Sequence, residues 1–328
     1  MTAVPFATVL VVLLVGSAVG GPWLLRRAAP VLVRTPRLAV GLLIGSIIGW
    51  LGALLAVGPV VAWITSGPTL FTGRAADVCQ RCLASANPFT GGTVPTVVPS
   101  VLLVALPALA ALMIAASVIR HSARRHLATR AMGDDVATRA TGITLAGHRV
   151  LLVPDAEAVA FTLPRRHGGI VISAGTLRVL DDAELAAVLA HEEAHLRQRH
   201  HVVTTLVESL ARPWRWIPLV SAAADAVPHY LEIAADNAAR ERVGTPALVS
   251  ALLTLGESQR SAHAASPSEA GNVLHAAGPN RIRHLVTPGR SRTGTGSAFA
   301  SVVHATALGA AGVGTLIAYL VATLTVCT

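Results

Sequence analysis

His191-Glu192-Glu193-Ala194-His195 places two imidazoles four residues apart, with a carboxylate directly after the first. On a helix, such residues lie one turn apart on the same face. His191 and His195 can therefore grip one divalent ion, and Glu192 is placed to act from the side as general base toward a metal-bound water. Glu193 is equally acidic but points elsewhere around the helix and takes no part in this chemistry. The competing reading is an exposed polar helix that happens to carry two histidines, which the polar neighbours Arg197, Arg199, His200 and His201 would suit. Catalytic zinc usually takes three protein ligands and keeps one position open. Glu232 and Asp236 repeat the four-residue spacing within an apolar stretch. There Glu232 would complete the zinc set, and Asp236 would accept a hydrogen bond from a ligand histidine and fix its tautomer. The alternative is a solvated helix face shared with Asp225 and Glu241. His229, His200 and His201 are rival third ligands, and His229 and Tyr230 are candidates for a second oxyanion donor.

The elements that must position these residues are readable around them. Asp181 followed by Glu184 forms an N-terminal capping pattern, and the Ala- and Leu-rich stretch 182–203, free of Gly and Pro, predicts one long helix. Pro213 and Pro218 bracket a turn carrying Trp214 and Trp216. A second helix is expected over 228–243, with Pro228 as its first residue and Gly244 as its stop. Upstream, the Val- and Ile-rich runs 149–153, 158–162 and 169–173 predict short strands, with the polar turn 164–169 between the last two.

The rest of the chain is membrane-like. Of 328 residues, 53% are hydrophobic and 13% charged, with a formal net charge of +9 carried wholly by arginine as the basic residue. Soluble domains carry about a quarter charged residues. The basic excess sits at the ends of apolar runs, not in a patch interleaved with aromatics, which argues against direct nucleic-acid binding. Spans of about 20 apolar residues, the bilayer requirement, fit at 5–25, 38–64, 97–119 and 298–324. Arg26, Arg27, Arg34 and Arg37 follow the first span and Arg120, Arg124, Arg125 and Arg130 the third, whereas the second loop holds only Arg74 and Arg81. The positive-inside rule then puts residues 120–296 in the cytoplasm and both termini outside. Cys79, Cys82 and Cys327 fall on the outer side, where disulfides persist. Residues 261–296, rich in Ala, Ser, Gly and Pro, read as a tether with anchoring arginines before the last span. His304, inside that span, is expected to be neutral and hydrogen-bonded to a neighbouring helix.

Residues 171–175 and 180–195 resemble membrane-bound gluzincins, and most closely the BlaR/MecR-type antirepressor metallopeptidases. HtpX-like proteases share the zinc helix and a later E-x-x-x-D pattern. The resemblance implies a mainly α membrane protein: three transmembrane helices in 1–119, a cytoplasmic α+β zincin-like (gluzincin) peptidase domain in 120–296, and a fourth transmembrane helix in 297–328. It implies one Zn2+ per chain held by His191, His195 and Glu232, with Glu192 as catalytic base and Asp236 behind a ligand. It also implies that 169–173 is an edge strand receiving substrate backbone. The expected function is an integral membrane zinc endopeptidase cleaving a cytoplasmic BlaI-like repressor, with protein substrate and lipid bilayer as partners. The alternatives are HtpX-like quality control of membrane proteins and a non-catalytic receptor or scaffold. The chain lacks a Ser-x-x-Lys nucleophile, so covalent β-lactam sensing is not expected of it.

Overall fold

The structure is a computed structural model, and it describes residues 3–66, 73–85, 94–265 and 295–326. Helices α1 (Ala3–Leu32) and α2 (Pro36–Ile64) form an apolar hairpin. A two-residue strand β1 (Thr65–Ser66), helix α3 (Arg74–Ser85) and strand β2 (Val94–Pro95) lead to the long helix α4 (Ser100–Arg139). The strands β3 (Thr141–Leu145), β4 (His148–Val153), β5 (Ala160–Thr162) and β6 (Ile170–Ser173) follow. Then come α5 (Ala174–Val179), α6 (Asp182–Arg197), α7 (His200–Ala211), α8 (Pro218–Val243), α9 (Thr245–Ala265) and α10 (Thr295–Val326).

Among the described residues, four helices are long and apolar enough to cross a membrane: Val4–Leu32, Pro36–Ile64, Leu102–Arg139 and Thr295–Ala318. They overlap the four expected spans, the third beginning at Leu102 instead of 97 and the fourth running over Thr295–Ala318 instead of 298–324. Small residues let them approach closely, as membrane helices require. A Cβ at Gly312 of α10 would meet the Gly52 carbonyl carbon of α2 at 2.8 Å, and one at Gly49 would meet the Ala305 carbonyl oxygen at 3.0 Å. Trp50 donates its indole N–H to the Leu14 carbonyl at 3.0 Å, pinning α1 to α2. His304 lies against the same helix, at the Leu13 carbonyl, while its Nε2 is buried without a partner. Cys327 lies outside the described residues, as do the side chains of Cys79 and Cys82 and most of the tether at 261–296.

Three sequence expectations change. The strand at 169–173 is not an edge: the sheet order is β3-β4-β6-β5, so β6 lies between β4 and β5 with all four of its residues buried. Its apolar Ile170, Val171 and Ile172 demand burial on both faces, and β3, closed onto β4 by the left-handed Ala146-Gly147 turn, supplies one outer strand instead. The helix expected over 182–203 breaks at Arg199, which is left-handed at φ 52°, and restarts at His200 as α7. The helix expected from Pro228 begins ten residues earlier at Pro218. Pro228 is interior, a position that costs about 3 kcal/mol in lost hydrogen bonding and strain. Burial of Leu219, Val220, Ala223, Ala224 and Val227 in one apolar core with α1 and α2 offsets it, at about 1.5–3 kcal/mol for a fully buried large side chain.

Helix α8 therefore has two halves. The first is embedded among the membrane helices, and the second carries Glu232 and Asp236 alongside α6. The start of α6 is fixed by the expected capping box: Asp181 accepts from the Glu184 N–H at 2.8 Å and Glu184 accepts from the Asp181 N–H at 3.1 Å. Ser250 and Thr254 of α9 also donate to Glu184, and Leu189, Ile172, Leu248 and Leu255 close a second core between sheet and helices.

Candidate metal centre

Helices α6 and α8 bring His191, His195 and Glu232 together. Their nitrogen and oxygen ligand atoms all lie within 4.8 Å of one another. The two Nε2 atoms are 3.0 Å apart, and the Glu232 oxygens lie 3.5 Å from that of His191 and 3.4 Å from that of His195. Asp236, one turn beyond Glu232 and 1% exposed, sits 3.0 Å from His191 Nδ1. Burial would lower the His191 pKa, but Asp236 and Glu232 outweigh it and push it up to about 10. The pocket thus favours positive charge at its centre.

A second chain of contacts fixes the other imidazole. His195 Nδ1 lies 2.8 Å from His200 Nδ1, His200 Nε2 lies 3.2 Å from Gln198 Oε1, and Arg37 Nε–H donates to that same oxygen at 3.4 Å. Only the amide oxygen can accept from arginine, so His200 must donate through Nε2, leaving its Nδ1 bare. Burial holds His200 down to about 4, keeping it neutral. His195 must therefore donate from Nδ1 and present the Nε2 lone pair to the cluster. His191 turns Nδ1 to Asp236 at 3.0 Å and offers Nε2 to the cluster once a metal displaces the proton there. Without a metal, the proton that Asp236 and Glu232 hold on His191 sits among these groups; a divalent cation can take its place, and two imidazoles with one carboxylate is a donor set that zinc takes. The residues present fit a divalent metal.

The helix break at Arg199 explains how His200 reaches His195. On an unbroken helix, residues five apart point about 140° apart, and the left-handed Arg199 turns α7 back so that the rings meet at 4.6 Å, edge to face. Sequence reading offered His200 as a rival third ligand; it is instead the partner of a ligand candidate, and neither it nor Gln198 and Arg37 could be found from spacing on a continuous helix. His201 and His229 are not in the cluster. Tyr230 is buried among the membrane-helix side chains, and burial pushes its pKa up to about 12, so its ring serves packing. Glu192 is 4% exposed on α6 beside His191. Glu193 turns away, as expected, to an ion pair with Arg165 at 2.8 Å.

Residues 123–230 match the model of Peptidase family M48. The match covers about a third of the chain and ends two residues before Glu232. Proteins named "Protease HtpX homolog" are similar over part of it. The one from Acidiphilium cryptum (strain JF-5) is 38% identical over 65 residues, 19% of this chain and 23% of that protein. The one from Aquifex aeolicus (strain VF5) is 37% identical over 65 residues, 19% and 22%. The one from Burkholderia thailandensis is 34% identical over 82 residues, 24% and 28%. The chain spans about a quarter of the length of the curated relatives it matches. No solved structure matches it. These matches support a membrane metalloprotease, and the relatives' shared name gives no support to the BlaR/MecR specificity.

Proposed function

We propose that the chain is an integral membrane zinc endopeptidase in which His191, His195 and Glu232 hold the metal. The observation that carries this is the convergence of two imidazole Nε2 atoms and a carboxylate on one point. When bound, Zn2+ polarises the scissile carbonyl and lowers the pKa of water near it. Asp236 and His200 orient the two imidazoles by their Nδ1 atoms. Glu192, adjacent to His191 on α6, takes the proton from the attacking water and delivers it to the leaving amide nitrogen. Strand β5, paired through β6 alone, offers its other edge next to α6, where an extended substrate backbone can add as a further strand. Arginine placement along the apolar runs supports a cytoplasmic position for the domain.

Of the two substrate classes, the comparisons favour an HtpX-like role on membrane or unfolded polypeptides over cleavage of a BlaI-like repressor. The test is N-terminal proteomics of cells carrying the wild type or Glu192→Gln. New N-termini spread over several membrane proteins in the wild type support the first. One cleaved winged-helix repressor would establish the second. Identical profiles would favour a scaffold without catalysis.

A further inference from the structure

Away from the metal centre, Arg120, Arg124 and Arg212 converge on a cavity of about 160 Å³ that Ser117 and His121 complete. Ser117, Arg120, His121 and Arg124 stand at i, i+3, i+4 and i+7, one face of α4. Arg212 comes from the turn after α7, and the two walls are joined by Ser117 Oγ donating to the Ser209 carbonyl at 3.4 Å. Three guanidinium groups so placed repel one another. The nearby carboxylates do not neutralise them: Glu208 and Asp225 are both engaged by Arg215, at 3.0 and 2.6 Å. Among the described residues none of the three arginines has an acidic partner. His121 Nε2 is buried at the same place with no hydrogen-bond partner. Arg120 donates its Nε–H to the Ala116 carbonyl of its own helix at 3.2 Å; the cavity still holds three guanidinium charges without an acidic partner and an unmet imidazole nitrogen, and guanidinium forks suit the oxygens of a phosphoryl group.

Its position specifies the source of that group. The uncharged run of α4 ends at Ile119, one residue before Arg120. Trp216, four residues past Arg212 and two before α8, is 73% exposed, and tryptophan is enriched at the headgroup layer. We propose that this cavity binds the phosphoryl group of an anionic phospholipid headgroup. The bound lipid tethers to the bilayer surface the turn that joins α7 to α8, and hence the connection between the two helices of the metal centre.

The test uses the full chain in mixed micelles of phosphatidylcholine and phosphatidylglycerol, read by native mass spectrometry. Wild type is expected to retain one phosphatidylglycerol in preference to phosphatidylcholine. Retention falls at least about tenfold in Arg120→Gln/Arg212→Gln, through loss of charge-assisted hydrogen bonds, but not in Arg242→Gln on the far end of α8. Equal retention of the two lipids by wild type, or undiminished retention by the double variant, overturns the proposal. A parallel arm replaces the anionic lipid with millimolar inorganic phosphate. If phosphate raises the thermal midpoint of wild type and phosphatidylglycerol does not, the lipid occupant is wrong. Should the double variant fail to fold, Arg124→Gln and the lipid-dependent midpoint of wild type decide the matter.

Discussion

Replacing His200 with Phe keeps an aromatic ring of similar size in the bend after α6 but removes the acceptor facing His195 Nδ1, 2.8 Å away. That N–H then has no partner. A buried unpaired donor costs about 1–3 kcal/mol, and the His195 side chain, 17% exposed, admits some water, which favours the lower part of the range. Since the cost falls on the tautomer that binds metal, about 1–2 kcal/mol corresponds to roughly 5–30-fold weaker affinity, in keeping with losses of about 10–100-fold on removing partners of metal-binding histidines. The assay is competition for Zn2+ against a chromophoric chelator, with the purified full chain in detergent and thermal midpoints as the folding check. His200→Gln, which can offer a carbonyl oxygen, should recover most of the affinity. If His200→Phe folds and binds Zn2+ within about twofold of wild type, the reasoning that His200 sets the His195 tautomer is wrong.

Glu192→Gln should retain Zn2+ while cleavage of an unfolded protein substrate falls by about 10²–10⁴-fold; unchanged cleavage removes Glu192 from catalysis. Gly312→Leu should separate α10 from α2, because a Cβ there already meets Gly52 backbone at 2.8 Å; a loss of about 1–3 kcal/mol would appear as a lower thermal midpoint in detergent, and an unchanged midpoint would refute that packing. In the metal-free chain, His200 is held down to about 4, so between about pH 4 and 6.5 the unfolded state binds the extra proton and stability rises with pH. His191, pushed up to about 10, keeps its proton when folded; its contribution is complete below about pH 6.5 and is lost as pH rises toward 10. Midpoints recorded across this range should lose the acid limb in His200→Gln, and parallel curves for variant and wild type would contradict the burial assigned to His200.

The membrane helices and the residues of the centre were legible because their signals are local. Apolar runs of bilayer length and i, i+4 pairs on helices need no knowledge of what packs against them. Asp181 and Glu184 likewise announced the start of α6. What escaped was set by tertiary contact. Nothing in Arg199 marks it as left-handed; the bend persists through the contacts that seat His200 beneath His195. Pro228 looked like a helix start because proline suits the first helical position and disfavours an interior one, and only the burial of Val220, Ala223, Ala224 and Val227 against α1 and α2 shows why the helix already runs there. The apolar run 170–172 is compatible with either an edge or an interior strand, and the choice rests on β4 and β5 pairing on its two sides, a partnership that the strand signals alone do not reveal.

Whether α6 and α8 together hold one zinc ion is decided by zinc K-edge absorption spectroscopy of the full chain, with metal content measured on the same sample. The spectrum should show one Zn2+ per chain with two imidazole nitrogens and oxygen donors at roughly 2.0–2.2 Å, and the metal should be lost in His191→Ala and in Glu232→Ala. Zinc retained undiminished by the Glu232→Ala protein, or a coordination shell with sulfur or without imidazole, would contradict it.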